Sequence, residues 1–174
     1  MSRYVALLRA VNVGGTGKLL MSELAAMCRD AGFSRVETYI ASGNVVFDSD
    51  APAATVKALF ETRLRAHDRK LSGVMVRSAS EMQAIVDANP FPNAEPRYTY
   101  VIFLDAPPPA DALLKAAGRK DEQMCLGKRE IFVHYPSGMG RSELRIPAAN
   151  SGTARNMNTV VKVLAMMSKS NPAK

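Results

Sequence analysis

Three glycines and a lysine follow an apolar run in the stretch ALLRAVNVGGTGKLLM, residues 6–21. A loop of this kind can hold a phosphate, because glycine lets a ligand reach backbone N–H groups and lysine supplies positive charge. The magnesium-nucleotide form of that chemistry needs a glycine, four residues, then Gly-Lys-Ser/Thr. Counting back from Gly17-Lys18 puts Asn12 at the first glycine position and Leu19 at the hydroxyl position. The spacing therefore argues against a P-loop and leaves a simpler anion cradle built from Asn12, Gly14, Gly15 and Lys18, with Arg9 just ahead of them.

Two further polar sets have types suited to binding. Ser42-Gly43-Asn44 breaks the segment RVETYIASGNVVFDS and reads as a hairpin turn. NSGTARNMNTVVKVL reads as the start of a helix running from about Thr153 to Met167, with Ser151 or Thr153 as its cap and Arg155 in its first turn. On such a helix Arg155 and Thr159 share a face, with Asn156 beside them. A cation at the positive end of a helix dipole is unfavourable, so Arg155 calls for a negative partner, either a ligand or a protein carboxylate. In the first two sets the alternative is turn chemistry alone: glycine for positive φ and asparagine for local backbone bonds.

Catalytic sets are thin. His67 near a helix end and His134 in a strand each stand without a sequence partner, and no serine sits in a G-x-S-x-G elbow. Asp121-Glu122 and Asp48/Asp50 read as solvated turn or strand-end charges and not as a catalytic carboxylate pair. Cys28 and Cys125 lie far apart with no CxxC pair, which indicates neither zinc nor a disulfide framework and suits a reducing, cytoplasmic setting. No particular cofactor is indicated.

The elements that must position these residues follow from periodicity. Residues 3–11 form an apolar strand. Leu20, Leu24, Met27 and Ala31 recur as a helix, with Ser22 placed to cap it and Gly32 to end it. Strands over 36–41 and 44–48 come next, then a helix carrying Val56, Leu59, Phe60 and Leu64, and a strand ending at Arg77. The order β-α-β-β-α-β is ferredoxin-like, and we assign it to residues 1–78. In that order the first two strands run parallel, so the Asn12 and Asn44 loops fall at the same edge. Residues 79–174 form a second, smaller α+β subdomain: a helix near 80–88, a Pro/Asn-rich loop, a strand in YTYVIFL, a helix over 111–117, a hairpin about Gly127-Lys128, and the closing helix. This reads β-α-β-β-α, a partial topological echo without sequence repetition.

The chain has 174 residues, 47% of them hydrophobic, and a net charge of +7. The excess is uneven: residues 105–174 hold 11 Lys/Arg against 6 Asp/Glu. A field of that sign attracts phosphate-containing ligands or nucleic acid. No run is long enough to span a bilayer, so no membrane partner is expected, and the oligomeric state is left open.

The segments YVALLRAVNVGG, YIASGNVVFDS and TARNMNT, in that order, resemble the bacterial family termed domain of unknown function 1697. The resemblance implies two α+β subdomains, the first ferredoxin-like, and carries no assigned activity. It falls on Arg9, Asn12, Gly14 and Gly15, on Ser42, Gly43 and Asn44, and on Thr153, Arg155, Asn156 and Thr159. Two positions depart from the family pattern. Met157 stands where tryptophan usually follows RN, and Glu143 where lysine usually follows GRS. Softer packing and a reversed charge at those points weaken a nucleotide-binding expectation carried by them.

Three readings compete. The first is a phosphate- or anion-directed binding module, for nucleotide or nucleic acid, using polar loops and a helix start. The second is an enzyme in which Lys18, Arg9 or Arg155 stabilises charge. The third is a structural or interaction protein. An RNA-binding sheet of this topology wants aromatics on its third strand, where SGNVVFDS offers Asn44 and Val46.

Overall fold

The structure, a computed structural model, describes residues 1–15, 17–71 and 73–169. Thr16, Ser72 and residues 170–174 lie outside that description. The chain divides into two compact units, one of Met1–Gln83 together with the chain from Lys162 on, the other Ala84–Val161.

In the first unit, β1 (Ser2–Leu8) is buried over its last five residues. It leads to α1 (Met21–Asp30), which buries Leu24, Ala25 and Cys28. The residue ahead of that helix is Leu20 and not Ser22: Glu23 Oε2 accepts the Leu20 N–H at 2.9 Å, so the first turn is capped by a carboxylate one turn in. Then follow β2 (Ser34–Tyr39), β3 (Asn44–Ser49), α2 (Ala53–His67), which buries Val56, Phe60 and Leu64 at helical spacing, and β4 (Val74–Ser78). The strands lie in the order β2-β3-β1-β4, with every neighbouring pair antiparallel. This is the ferredoxin-like arrangement, and the α+β fold class holds. Phe33 stacks on Phe47 at 4.5 Å and Phe60 approaches Phe47 at 5.5 Å, which forms the centre of the core on the helix side.

Between the sheets in sequence, α3 (Ala79–Asp87) starts with a capping box. Ser78 Oγ accepts the Glu81 N–H at 3.3 Å, and Glu81 Oε2 accepts the Ser78 N–H at 2.8 Å. The second sheet consists of β5 (Thr99–Phe103), β6 (Gln123–Leu126), β7 (Glu130–His134) and β8 (Thr153–Asn156), and the chain continues into α4 (Met157–Met167). Its order is β6-β7-β5-β8, again antiparallel throughout. Numbered within each sheet, both run second-third-first-fourth.

Two expected helices differ. Where a helix over 111–117 is expected, residues 110–115 form successive turns, with Ala112 N–H bonded to the Pro109 carbonyl and Ala116 N–H to that of Leu113. Three prolines precede the segment, and Ala117 pairs with Arg145 in both directions at 2.9 and 2.8 Å, so too few residues remain to offset helix nucleation. The closing helix starts four residues later than expected. Thr153–Asn156 alternates buried and half-buried positions and pairs with β5, Val101 opposite Arg155 and Phe103 opposite Thr153. The free edge of β5 satisfies this backbone before a helix can. The second part thus reads β-β-β-β-α after α3, in place of β-α-β-β-α.

Candidate site at the loop end of the first sheet

Antiparallel pairing of β1 with both β3 and β4 brings three loops to one end of the first sheet, described over 9–15 and 17–20, over 40–43, and over 68–71 and 73. Leu7 lies opposite Asn44 and Leu8 opposite Val74. The Leu8 N–H bonds the Gly43 carbonyl at 2.8 Å and the Arg9 N–H bonds that of Gly73 at 3.1 Å. Gly43 has φ +85°, and a Cβ there would stand 2.8 Å from that of Leu8, so only glycine allows this approach.

The expected meeting of Asn12 with the Ser42–Asn44 turn is present, in a particular form. The Asn12 amide nitrogen donates to the carbonyls of Leu19 and Ala41, each at 2.8 Å, and its oxygen accepts the Leu19 N–H at 2.9 Å. The Asn12 N–H also closes the glycine loop on the Gly17 carbonyl at 3.1 Å. Asn12 has φ +55°, which asparagine tolerates better than most residues. Asn44 is fully buried and donates to the Tyr39 carbonyl at 2.8 Å and to Ser42 Oγ at 3.1 Å. Asn12, Ser42 and Asn44 therefore hold the loops together with their side chains, as turn chemistry would have it, while Gly14, Gly15 and Lys18 are exposed at the tip.

The third loop brings charges that sequence reasoning missed. Arg69 and Lys70 are exposed, and Lys18 and half-buried Arg9 join them at this end. Asp68 Oδ1 accepts the Lys70 N–H at 2.9 Å, and Glu23 is engaged with Leu20 as described. The signal was available: in the ferredoxin-like order the chain entering β4 reaches the edge that β1 leaves, so the Arg69-Lys70 pair follows from the same topology as Asn44.

The third motif lies in the second unit and does other work. Arg155 sits in β8 and not in a helical first turn, and it shares no helix face with Thr159. It is buried, and its guanidinium donates to Thr153 Oγ1 at 2.7 Å and to the Ala154 carbonyl at 2.9 Å. Burial lowers its pKa to about 10, still well above neutrality, so it remains a cation. The cap of α4 is Asn156 rather than Ser151 or Thr153: its Oδ1 accepts the Thr159 N–H at 3.0 Å. Met157 is buried, and Glu143 forms an exposed ion pair with Lys120 at 2.9 Å.

The other reactive groups among the described residues stand apart from one another. His67 Nε2 lies 4.0 Å from Glu23, and His134 Nδ1 is 3.5 Å from Thr99 Oγ1. Burial pushes the Cys28 thiol up to about 12, which keeps it protonated and inert. In the second unit a cleft of about 330 Å³ is lined by Lys120, Glu122, Ser137 and Arg141 among others, and the Glu122 carboxylate accepts the Ser142 hydroxyl and the Lys120 N–H. These two bonds hold the Glu122 pKa below the usual carboxylate range. Among the described residues no group of three metal-ligating side chains occurs, and no helix is long and apolar enough to cross a membrane.

Fold and loop cluster together define an α+β protein of two antiparallel sheets, with a ferredoxin-like first sheet bearing a basic loop end. The family described as protein of unknown function (DUF1697) matches residues 1–132, and the chain belongs to that family. Among solved structures it is similar to a conserved bacterial protein of Streptococcus pneumoniae, with a TM-score of 0.80 and 27% identity over 95% of this chain and 98% of that one. No curated protein matches it.

Proposed function

We propose that this protein is a binding module for phosphate-class anions, with its site at the loop end of the first sheet. The observation that carries the reading is the gathering of exposed Lys18, Arg69 and Lys70, with half-buried Arg9 behind them, on loops around an exposed glycine tip, where these cations outnumber the nearby carboxylates Asp68 and Glu23. Such a field raises the local concentration of anions. Nucleotides and nucleic acid belong to the class. Stacking of RNA on the sheet face away from α1 and α2 is disfavoured, because Val5, Leu7 and Val46 there are at most 1% exposed and Phe47 belongs to the helix-side core. In this reading Asn12, Ser42 and Asn44 shape the loops, and Thr153, Arg155, Asn156 and Thr159 serve the β8–α4 junction. The two free cysteines suit a cytoplasmic location.

The test is thermal shift with tripolyphosphate at low ionic strength. Saturating ligand should raise the midpoint, since a hundredfold excess over Kd adds about 2.7 kcal/mol. The combined substitution Lys18→Ala, Arg69→Ala, Lys70→Ala should abolish the shift while leaving the unliganded midpoint nearly unchanged. Absence of any shift in the natural protein would overturn the proposal.

A further inference from the structure

The same loop end exposes apolar side chains that binding a small anion does not use. Val13, Leu20 and Ile40 are 61%, 66% and 49% exposed. Each adjoins the Asn12 knot: Val13 follows Asn12, Leu20 follows Leu19 and Ile40 precedes Ala41, and Asn12 holds the carbonyls of Leu19 and Ala41. Ile40 has φ +49°, a conformation that a β-branched residue adopts only under strain. Folding gains little from an exposed isoleucine there, whereas asparagine or glycine would relieve the backbone. A Cβ added at Gly14 or Gly15 would meet nothing within 4 Å, so the tip projects into open space.

Projecting aliphatic side chains bordered by Lys18, Arg69 and Lys70 fit an occupant that is both anionic and apolar. Residues 9–20, 40–43 and 68–73 contain no aromatic ring and the flanking Tyr39 is half-buried, whereas nucleic-acid bases are gripped chiefly by stacking on exposed rings. Lipid supplies both partners, headgroup charge for the cations and acyl chains for valine, leucine and isoleucine. We propose that this loop end docks on an anionic lipid surface, Val13 and Ile40 entering the interfacial region while Lys18, Arg69 and Lys70 meet the headgroups. The inference rests on the anion-binding reading and names its partner. Docking of this kind lies on the membrane and needs no spanning helix.

Co-sedimentation of the full chain with vesicles tests it, using pure phosphatidylcholine against equal parts phosphatidylcholine and phosphatidylserine, with tripolyphosphate thermal shift in parallel. Binding is expected only to the serine-containing vesicles and is expected to weaken with salt. Loss of one cation should weaken it about fivefold. The double substitution Val13→Asn, Ile40→Asn should weaken vesicle binding about tenfold or more, leave the tripolyphosphate shift intact, and keep or raise the thermal midpoint because asparagine tolerates the left-handed backbone at position 40. Vesicle binding that ignores this double substitution would overturn the insertion. A tripolyphosphate shift without vesicle binding, or tight binding of a single-stranded oligonucleotide in its place, would overturn the lipid inference and leave the anion reading standing. Failure of every probe would remove both.

Discussion

The two sheets share one strand order but are covered by different material. On the first, α1 and α2 lie over a face centred on Phe47, and the buried residues of each helix recur at threes and fours. On the second, the connections β5–β6 and β7–β8, which in a ferredoxin-like unit would be helices, are turns and loops. They place Leu113, Ala116, Leu144, Ile146 and Ala148 against Ile102, Ile131 and Val133. Strand order is thus set by which edges pair, and the cover needs only enough apolar side chains at the right height. A helix is one way to supply them; a proline-shaped loop is another.

The comparison breaks first at Phe60. Removing a ring packed against both Phe33 and Phe47 leaves a cavity that two regular helices cannot close, and Phe60→Ala should lower stability by about 3–5 kcal/mol, read as a shift in urea midpoint at unchanged m-value. A loss under about 1 kcal/mol would mean that the ring contacts of Phe60 do not hold the helical cover in place.

The loop cover has a different weak point. Gly118 has φ +72°, and a Cβ there would stand 2.2 Å from the Glu143 carbonyl oxygen, beside the Ala117–Arg145 bridge that ties the two connections together. Gly118→Ala should cost about 2–3 kcal/mol by strain and steric conflict. Its signature would be local: amide exchange at Ala117 and Arg145 should accelerate more than at β5. Uniform acceleration across both sheets would show that the bridge is not a separable tie.

What could be read from the sequence follows the same divide. The first sheet was legible because its helices repeat at 3.6 and its hairpin carries Ser42-Gly43-Asn44, so topology and the juxtaposition of Asn12 with that turn followed directly. In the second, Leu113 and Ala116 mimic a helical spacing but are held by turns. Thr153–Asn156 looks like a capped helix start because Thr, Arg and Asn suit one, and only the unpaired edge of β5, a tertiary fact, makes it a strand. Arg155 was misplaced for that reason. Arg69 and Lys70 were legible and overlooked.

A smaller effect sharpens the contrast at the β8–α4 junction. Asn156→Ala removes the acceptor for the Thr159 N–H and should cost about 1 kcal/mol, within the usual 0.5–2 kcal/mol for a lost N-cap, whereas Ser151→Ala should leave the thermal midpoint unchanged. The reverse result would restore the earlier helix start.

The smallest effect concerns the far end of α4, which is held by charge where its start is held by a neutral cap. The Arg3 guanidinium donates to the Met166 carbonyl at 3.4 Å, Arg35 donates to the Lys169 carbonyl at 2.6 Å, and Glu37 pairs with Lys169 at 3.0 Å and with Arg3 at 2.9 Å. Cations at these last carbonyls complement the helix dipole. The hydrogen bond from Lys169 is the main cause that holds the Glu37 carboxyl below its ordinary 4.5, with Arg3 adding to it and partial burial opposing. Since the folded state binds this proton more weakly than the unfolded chain, the contribution is complete above pH 4.5 and is lost as pH falls through the depressed folded value. Glu37→Gln should therefore flatten the acid limb of the midpoint-versus-pH curve, with the natural and substituted proteins converging at the lowest pH. The Glu37 side chain is 37% exposed, so the difference should be modest and should shrink with salt. An acid limb of unchanged slope in the variant would show that the charge cluster does not hold this end of the helix, and that burial of Val163, Met166 and Met167 suffices.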